Sequence, residues 1–246
     1  MVKYIIGIDI GGTWTRVALC TDDLNEANMI LKSIKTPKDT EYSIANSLIV
    51  MITELLYDND IKEEQIVGIG LASAGPLDMD TGEIFNNANL GFKVIPLKTP
   101  LEEKFPGIPI YLINDGNASV LGVHYFEADD EEKDNLVYIT MSTGIGGGVV
   151  CNGKLLLGKE GNAAEIGHGV VDPSSIIQCN CGAHGCWEVY SSGTGIKNRA
   201  LENIKDTKLS SRILMIMSIM KLKRLMRSIS FRLPKEEINF RKVLLT

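Results

Sequence analysis

The most constraining feature of this sequence is a local pattern that occurs twice: an apolar strand, a turn rich in glycine and threonine, and a second strand. The first copy extends from Lys3 to Cys20 around a turn at 9–13, and the second from Leu136 to Cys151 around a glycine turn at 142–148. The strand residues are mostly apolar, and the turn residues are those that break regular structure. Because the same pattern of strand, turn and strand begins each half of the chain, we expect two lobes of mixed α/β structure.

Helices and further strands are predicted between the two copies. The segment 42–57 is expected to be helical, because its apolar residues recur at three- and four-residue spacing. These residues are Ile44, Leu48, Met51, Ile52, Leu55 and Leu56. Strands are predicted at 29–35, 67–72 and 110–113, and a second helix at 117–127. We expect a first lobe over 1–115, a second over 116–207, and a ligand in the cleft between them.

The end of the chain differs in composition from the rest. Residues 208–246 hold ten Lys and Arg, two Glu and no glycine, whereas the whole chain of 246 residues has 24 glycines and a formal net charge of −6. With 44% apolar residues the chain is too hydrophobic to be disordered. Its acidic balance argues against a general nucleic-acid partner, because phosphate would be repelled. We therefore treat 208–246 as a separate, aberrant basic tail.

The sequence also indicates the cellular compartment of the protein. No stretch has the pattern of a secretory signal, and the longest apolar run of the tail, 213–220, is far too short to span a membrane. Three of the five cysteines crowd into 179–186. Such crowding indicates metal or redox chemistry in a reducing compartment and not a disulfide framework. We expect a cytoplasmic protein with no membrane partner.

The two glycine turns are candidates for binding phosphate. Glycines let backbone N–H groups approach phosphate oxygens, and a threonine hydroxyl can donate a further hydrogen bond. In the first turn Asp9 could hold a magnesium ion directly or through water. The alternative for either turn is an ordinary β-hairpin, in which glycine pairs are common. The strict P-loop and the dinucleotide-binding glycine pattern are both absent.

Asn114 and Asp115 end a predicted strand, where catalytic carboxylates often lie. An aspartate there can accept a proton from an attacking hydroxyl group. The alternative is that Asp115 caps the helix that follows. Spacing alone leaves the two interpretations open.

A third group of residues has the composition of a zinc site. His168 is followed eleven residues later by Cys179, and then by Cys181 and Cys186. One imidazole and three thiolates form a closed tetrahedral zinc set. The rival interpretation is a reactive or oxidised thiol pair. Glu188 lies two residues beyond Cys186, so a metal ion would also restrict its position.

Taken in order, these motifs resemble the ROK family of repressors and sugar kinases. The motifs are Asp-x-Gly-Gly-Thr, Asn-Asp, Ser-Thr-Gly-Ile-Gly-Gly-Gly, Glu-x-Gly-His and Cys-x-Cys-Gly-x-x-Gly-Cys-x-Glu, within residues 3–200. The resemblance implies an actin-like, ribonuclease H-like two-lobed ATPase fold with a structural zinc loop in the second lobe. It also implies transfer of the γ-phosphoryl group of ATP, bound with Mg²⁺, to a hexose, with glucose as the first expectation and other hexoses as alternatives.

The resemblance assigns roles to individual residues. It makes Asp115 the general base, which also contacts the hexose. The remaining sugar ligands would be Asn89, Asn114, Glu165, His168 and Glu188. Nucleotide phosphates and magnesium would be held by Asp9, Gly11, Gly12, Thr13, Thr143, Gly144, Gly146 and Gly147. Structural Zn²⁺ would be held by His168, Cys179, Cys181 and Cys186.

The family resemblance implies a homo-oligomer, a dimer or a tetramer. It ends near Asp206, and we expect the tail to be a frameshifted or prematurely ended reading frame, the alternative being a genuine helical tail. A catalytically impaired remnant that binds sugar or zinc is therefore the second functional hypothesis. A repressor is disfavoured, because the first predicted strand begins at Lys3 and leaves no room for a helix-turn-helix.

Overall fold

A computed structural model of the chain describes residues 2–24, 28–87 and 90–204. By its internal contacts the chain up to Thr194 is one compact unit, and a second unit begins at Gly195. The elements, in chain order, are β1 (Tyr4–Ile10), β2 (Trp14–Thr21), β3 (Ile30–Lys35), α1 (Ser43–Asp58), β4 (Ile66–Ser73), β5 (Leu77–Asp78), β6 (Glu83–Phe85), β7 (Val94–Pro96), α2 (Lys98–Lys104), β8 (Ile110–Asn114), α3 (Asp115–Phe126), β9 (Asn135–Met141), β10 (Ile145–Cys151), β11 (Lys154–Leu155), α4 (Trp187–Ser191) and α5 (Gly193–Ile204).

The largest sheet has five strands in the order β3-β2-β1-β4-β8. Strands β1, β4 and β8 are parallel, whereas β2 and β3 are antiparallel to their neighbours. The register aligns Ile10, Ser73 and Asn114 in one row at the carboxyl ends of the parallel strands. The turn after β1 and the first residue of α3 therefore leave the sheet at the same edge.

The hydrophobic core lies between this sheet and its helices. All six apolar positions that predicted α1 are buried, and Leu48 and Ile52 have no exposed surface. They belong to one cluster with residues of the central strands, among them Ile6, Leu19 and Leu71. Burying a side chain of this size contributes roughly 1.5–3 kcal/mol each, which explains why a helix with no side-chain cap is stable here.

Two smaller sheets complete the described chain. One has the order β11-β10-β9, and α3 packs against β9 and β10. Asn152 and Gly153 both have positive φ, as the predicted two-residue hairpin between β10 and β11 requires. The other sheet, in the order β5-β6-β7, was not predicted, because strands of two or three residues are too short to show a period.

The predicted glycine turn at 142–148 is too long. Strand β10 begins at Ile145, so Gly146, Gly147 and Gly148 are strand residues. The reason is close packing against α3: a Cβ atom on Gly148 would lie 2.3 Å from the carbonyl oxygen of Gly116. Glycine therefore permits backbone contact between a helix and a strand at this point.

The helix after β8 begins two residues earlier than predicted, at Asp115. Asn114 is its N-cap, and its side chain accepts a hydrogen bond from the N–H of Gly116 at 2.9 Å. The division into lobes at 115/116 stays a prediction. The tail at 208–246 lies outside the described residues. Among the helices that the structure describes, none is long and apolar enough to cross a membrane.

Candidate active site

The first glycine turn, Gly11–Thr13, is held in place by hydrogen bonds. The N–H of Gly11 donates to the carbonyl of Trp14 at 2.9 Å, which closes the turn. Thr36 braces it from outside: its hydroxyl donates to the Gly11 carbonyl at 2.6 Å, and its N–H donates to the Thr13 carbonyl at 3.0 Å. Thr13 itself is exposed. The turn is thus preorganised, with its threonine accessible to a ligand.

Asp9 lies just before this turn and forms an ion pair with Arg16 at 2.6 Å, both side chains being about half exposed (48% and 47%). Sequence reasoning missed Arg16. A signal was available, since a hairpin closed at Gly11–Thr13 places Asp9 directly opposite Arg16 across the two strands.

The structure decides which of the two neighbouring residues caps α3. Asn114 is the cap, and Asp115 is the first residue of the helix. One oxygen of Asp115, Oδ1, also accepts a hydrogen bond from the N–H of Gly116 at 2.8 Å. The capping interpretation of Asp115 is therefore not needed to explain the start of the helix.

The electrostatic environment of Asp115 is unusual for an aspartate. Solvent reaches the side chain, but the surrounding protein removes enough water to raise the pKa of the carboxyl group. The negative charge of Asp9 raises this pKa further, against the opposing effect of the Gly116 hydrogen bond. The two carboxylates are thus close enough to interact electrostatically near the carboxyl edge of the five-stranded sheet.

Glu165 and Glu188 extend this group of acids. Burial raises the pKa of Glu165, and the charges of Asp115 and Glu188 raise it further, whereas His168 lowers it. The nearest carboxylate oxygen of Glu165 lies 3.8 Å from Nε2 of His168. The structure therefore places Asp115, Glu165, His168 and Glu188, which come from three separate motifs, close enough for the charges of the other three to act on Glu165.

Glu188 also contacts the second glycine turn. Its Oε2 accepts a hydrogen bond from the N–H of Ile145 at 2.8 Å. A Cβ atom on Gly144 would lie 2.4 Å from the same oxygen, so a side chain at this position would displace the carboxylate. The sequence predicted Glu188 near a metal site and a sugar, but it contained no signal for this contact.

His168, Cys179, Cys181 and Cys186 meet in one cluster, with their ligand atoms all within 4.8 Å of one another. The Sγ atoms of Cys181 and Cys186 are 3.7 Å apart, and Nδ1 of His168 is 3.5 Å from Sγ of Cys179. Usual zinc bond lengths in a tetrahedron separate two sulfurs by about 3.8 Å, and a sulfur and a nitrogen by about 3.6 Å. The four residues therefore fit a zinc ion in donor type, and these two separations agree with the spacing of zinc ligands.

The chemistry of the thiols agrees with a cation site. Burial raises the pKa of Cys179 and raises that of Cys186 to about 12, because a thiolate there would lack both water and a positive partner. A divalent cation would supply that positive charge. The separation of 3.7 Å is far longer than a disulfide bond of about 2.05 Å, and all cysteines are free. The oxidised thiol pair is therefore not what this structure contains.

The remaining residues predicted for the site lie in different places in the structure. Asn89 lies outside the described residues. Thr143 is exposed in the turn at 142–144. Gly146 and Gly147 lie in β10, where a Cβ atom on Gly147 would collide with Ile166 and with the Tyr138 carbonyl. Packing accounts for that glycine, and the predicted contact of both glycines with a nucleotide stays a prediction.

Comparison with known proteins shows the family. Residues 5–232 match the ROK family, so the chain belongs to it. A glucokinase of Halalkalibacterium halodurans is 36% identical over 209 residues, which is 84% of this chain and 62% of that protein. The chain therefore spans less than two thirds of the length of this curated relative. The family match also reaches beyond Asp206, where the motif resemblance ends.

Solved structures show the same fold. A ROK hexokinase from Thermus thermophilus is 29% identical with a TM-score of 0.71 over 87% of this chain and 69% of that one. A ROK family glucokinase from Streptomyces griseus, solved with glucose and AMPPNP, is 29% identical with a TM-score of 0.63 over 84% of this chain and 62% of that one. The mixed α/β sheets described above are thus those of the ROK sugar kinases, which have an actin-like ATPase fold.

Proposed function

We propose that this protein transfers the γ-phosphoryl group of Mg²⁺-bound ATP to a hydroxyl group of a hexose, with glucose as the first candidate. The observation that carries the proposal is the position of Asp115, at the edge of the sheet where the first glycine turn also ends, with a raised pKa. The similarity to glucokinases, one of which binds glucose and AMPPNP, supports the choice of substrates.

In the proposed reaction Asp115 acts as the general base. Its carboxylate accepts the proton of the sugar hydroxyl, the hydroxyl oxygen bonds to the γ-phosphorus, and the bond from phosphorus to the β-γ bridging oxygen breaks to release ADP. Phosphoryl transfer requires mainly alignment and neutralisation of charge. A pKa above that of an ordinary aspartate makes the carboxylate a better proton acceptor than it would be in water.

The other hydroxyl groups of the sugar would be held by Glu165, His168 and Glu188, with Asn114 beside them. The Nε2 side of His168 faces Glu165, whereas its Nδ1 side faces Cys179. One edge of this imidazole can therefore serve a metal site while the other edge meets the sugar. A zinc ion held by His168 and the three cysteines would supply a fixed cross-link at this side of the site.

The nucleotide phosphates would lie against the turns at 11–13 and 142–144. Asp9 would hold the magnesium ion directly or through water, and its ion pair with Arg16 supports the orientation of the carboxylate. Because three acidic side chains surround the sugar, the magnesium ion and the backbone N–H groups of the turns must offset repulsion of the triphosphate.

The test is a coupled assay of ADP formation with Mg²⁺-ATP over a panel of glucose, mannose, fructose, N-acetylglucosamine and N-acetylmannosamine. We expect turnover with glucose, a loss in kcat of roughly 10²–10⁴-fold in Asp115→Asn, and wild-type KM for ATP in that variant. In wild type kcat should fall as the pH is lowered through the raised pKa of Asp115, because the base is then protonated.

Glu165→Gln is the matched control, since it neutralises a second carboxylate of the same group. We expect it to raise KM for the sugar much more than it lowers kcat. Preference for an N-acetylated sugar would contradict glucose as the substrate. Sugar binding with no turnover in wild type would favour the impaired remnant over the kinase.

A further inference from the structure

The Cys/His cluster and the second glycine turn are connected through the backbone of a single residue, Ile145. Its N–H donates to Oε2 of Glu188 at 2.8 Å. Its carbonyl oxygen lies against Gly167, where a Cβ atom would be only 2.2 Å away. The N–H and the carbonyl oxygen of Ile145, the first residue of β10, are thus both contacted by residues from outside its own sheet.

Each of these holding residues is adjacent to a member of the cluster. Gly167 directly precedes His168, and Glu188 follows Cys186 by two residues, in the first turn of α4. The N–H of Trp187 donates to the carbonyl of Gly169 at 2.9 Å, which ties the start of α4 to the His168 segment. A displacement of either cluster residue therefore moves a group that contacts Ile145.

The segment that follows α4 holds the other end of the turn. The N–H of Gly193 donates to the carbonyl of Ser142 at 2.7 Å, and the N–H of Thr194 donates to the carbonyl of Thr143 at 3.2 Å. The turn at 142–144 is therefore fixed at both ends by the stretch of chain that leaves the cysteine loop. Within the turn, the N–H of Ser142 bonds only locally, to the carbonyl of Gly144 at 2.9 Å.

We propose that Glu188 is a positioning residue that couples the Cys/His cluster to the turn at 142–145, so that an intact cluster is needed for tight nucleotide binding. The proposal rests on the proposed function of this turn in binding nucleotide phosphates. It assigns Glu188 a role in nucleotide binding in addition to its expected contact with the sugar. The carboxylate is suited to this role because charge-assisted hydrogen bonds to backbone N–H groups are short and strong.

The direction in which the affinity for Mg²⁺-ATP changes distinguishes a positioning role of Glu188 from simple electrostatic repulsion. Removing a carboxylate near a triphosphate reduces repulsion, so charge alone predicts that Glu188→Ala binds Mg²⁺-ATP more tightly. Positioning predicts the opposite: a weakening of about tenfold, the equivalent of one charge-assisted hydrogen bond. Glu165→Ala is the matched control, because it removes a carboxylate of the same group whose ion pair is with His168 and not with the turn.

The first measurement is equilibrium binding of Mg²⁺-ATP, without sugar, by calorimetry. We expect Glu188→Ala to bind roughly tenfold more weakly than wild type. Glu188→Gln, which keeps an oxygen acceptor, should lie close to wild type, and Glu165→Ala should not be weaker. Removing the metal with a chelator should weaken wild type by a similar factor and add little to Glu188→Ala.

The second measurement needs no nucleotide. Amide hydrogen exchange should show protection of the Ile145 N–H in the metal-loaded wild type and its loss in Glu188→Ala and after chelation. Amides of β1, the central strand, report whether the fold persists, and they should stay protected in every sample. This measurement detects the coupling between the Cys/His cluster and the turn even if the nucleotide sites are altered for other reasons.

The proposal is overturned if Ile145 stays protected in Glu188→Ala or after chelation, or if Glu165→Ala weakens nucleotide binding as much as Glu188→Ala does. If Ile145 responds as expected but no variant binds Mg²⁺-ATP, the coupling is upheld and the kinase proposal is refuted. The two hypotheses therefore fail by different observations.

Discussion

At the scale of single residues, the candidate base is also a source of instability. The pKa of Asp115 is raised by burial and by Asp9, which means that the ionised form is disfavoured in the folded protein. A folded-state pKa above the unfolded value makes the native state bind the proton more tightly. Stability therefore increases as the pH falls through the raised pKa, and the charge opposes folding at neutral pH.

We accordingly predict that Asp115→Asn raises Tm at neutral pH while it lowers kcat. The difference in Tm from wild type should shrink as the pH is lowered past the raised pKa, because wild type then carries a neutral carboxyl group as well. Thermal unfolding of both proteins across a pH series measures this. A variant whose Tm at neutral pH is equal to or below that of wild type would show that the charge is fully accommodated.

Asp78 is a control for this prediction, because its pKa is shifted in the opposite direction to that of Asp115. The backbone N–H groups of Asp80 and Thr81 donate to its Oδ1 at 2.8 and 3.0 Å, and these bonds lower its pKa. Its charge therefore stabilises the fold at neutral pH, and this contribution is lost as the pH falls through the lowered pKa. We expect Asp78→Asn to lower Tm, where Asp115→Asn raises it.

At the scale of elements, the position of Asp115 depends on how closely α3 approaches β10. A Cβ atom on Gly116 would lie 2.2 Å from the carbonyl oxygen of Gly147, and one on the opposing Gly148 would lie 2.3 Å from the carbonyl oxygen of Gly116. Backbone atoms on both sides cannot move aside as a flexible side chain would. The glycines of the second motif thus serve the contact that holds α3, which carries the candidate base, in place.

We predict that Gly116→Ala lowers the free energy of unfolding by about 1–3 kcal/mol, the usual cost of forcing extra atoms into a packed contact. Gly122→Ala is the control in the same helix, since a Cβ atom there meets nothing within 4 Å. It should raise the free energy of unfolding by roughly 0.5–1 kcal/mol through the better helix propensity of alanine. Denaturant unfolding of the two variants should therefore give changes of opposite sign, and equal changes would contradict the packing argument.

At the scale of the whole molecule, the Cys/His cluster joins two segments that are eleven residues apart in the sequence, one around His168 and the other along 179–186. Such a cross-link stabilises the site only if the metal is bound. We predict that the purified protein contains about one zinc per chain, and that Cys186→Ser loses it and unfolds at a lower temperature.

Cys151→Ser is the matched control for the metal prediction. Cys151 is an exposed cysteine at the end of β10 and is not a member of the cluster. The Cys151→Ser variant should keep the zinc content and the Tm of the wild type. Elemental analysis and thermal unfolding measure both quantities, and full zinc content in Cys186→Ser would refute the ligand set.

Much of the fold could be predicted because local signals are strong where apolar periodicity is long. The spacing of Leu48, Ile52 and Leu55 placed α1 within one residue at each end. The apolar runs of the first two strands placed β1 and β2 equally well. The boundaries failed at Asp115, where a side-chain cap starts the helix, and at Gly146, where glycine serves packing and not a turn.

The sequence by itself determined which chemical groups this protein carries: two glycine turns, the Asn114-Asp115 pair, and one histidine with three cysteines at zinc spacing. Residue types and their spacing are local properties, so a linear pattern can reveal them. Only the tertiary structure decided that Asp9 raises the pKa of Asp115 and that Glu188 holds the N–H of Ile145. These contacts join residues separated by about a hundred and by 43 positions, and they follow from sheet register and helix packing, which no local pattern specifies.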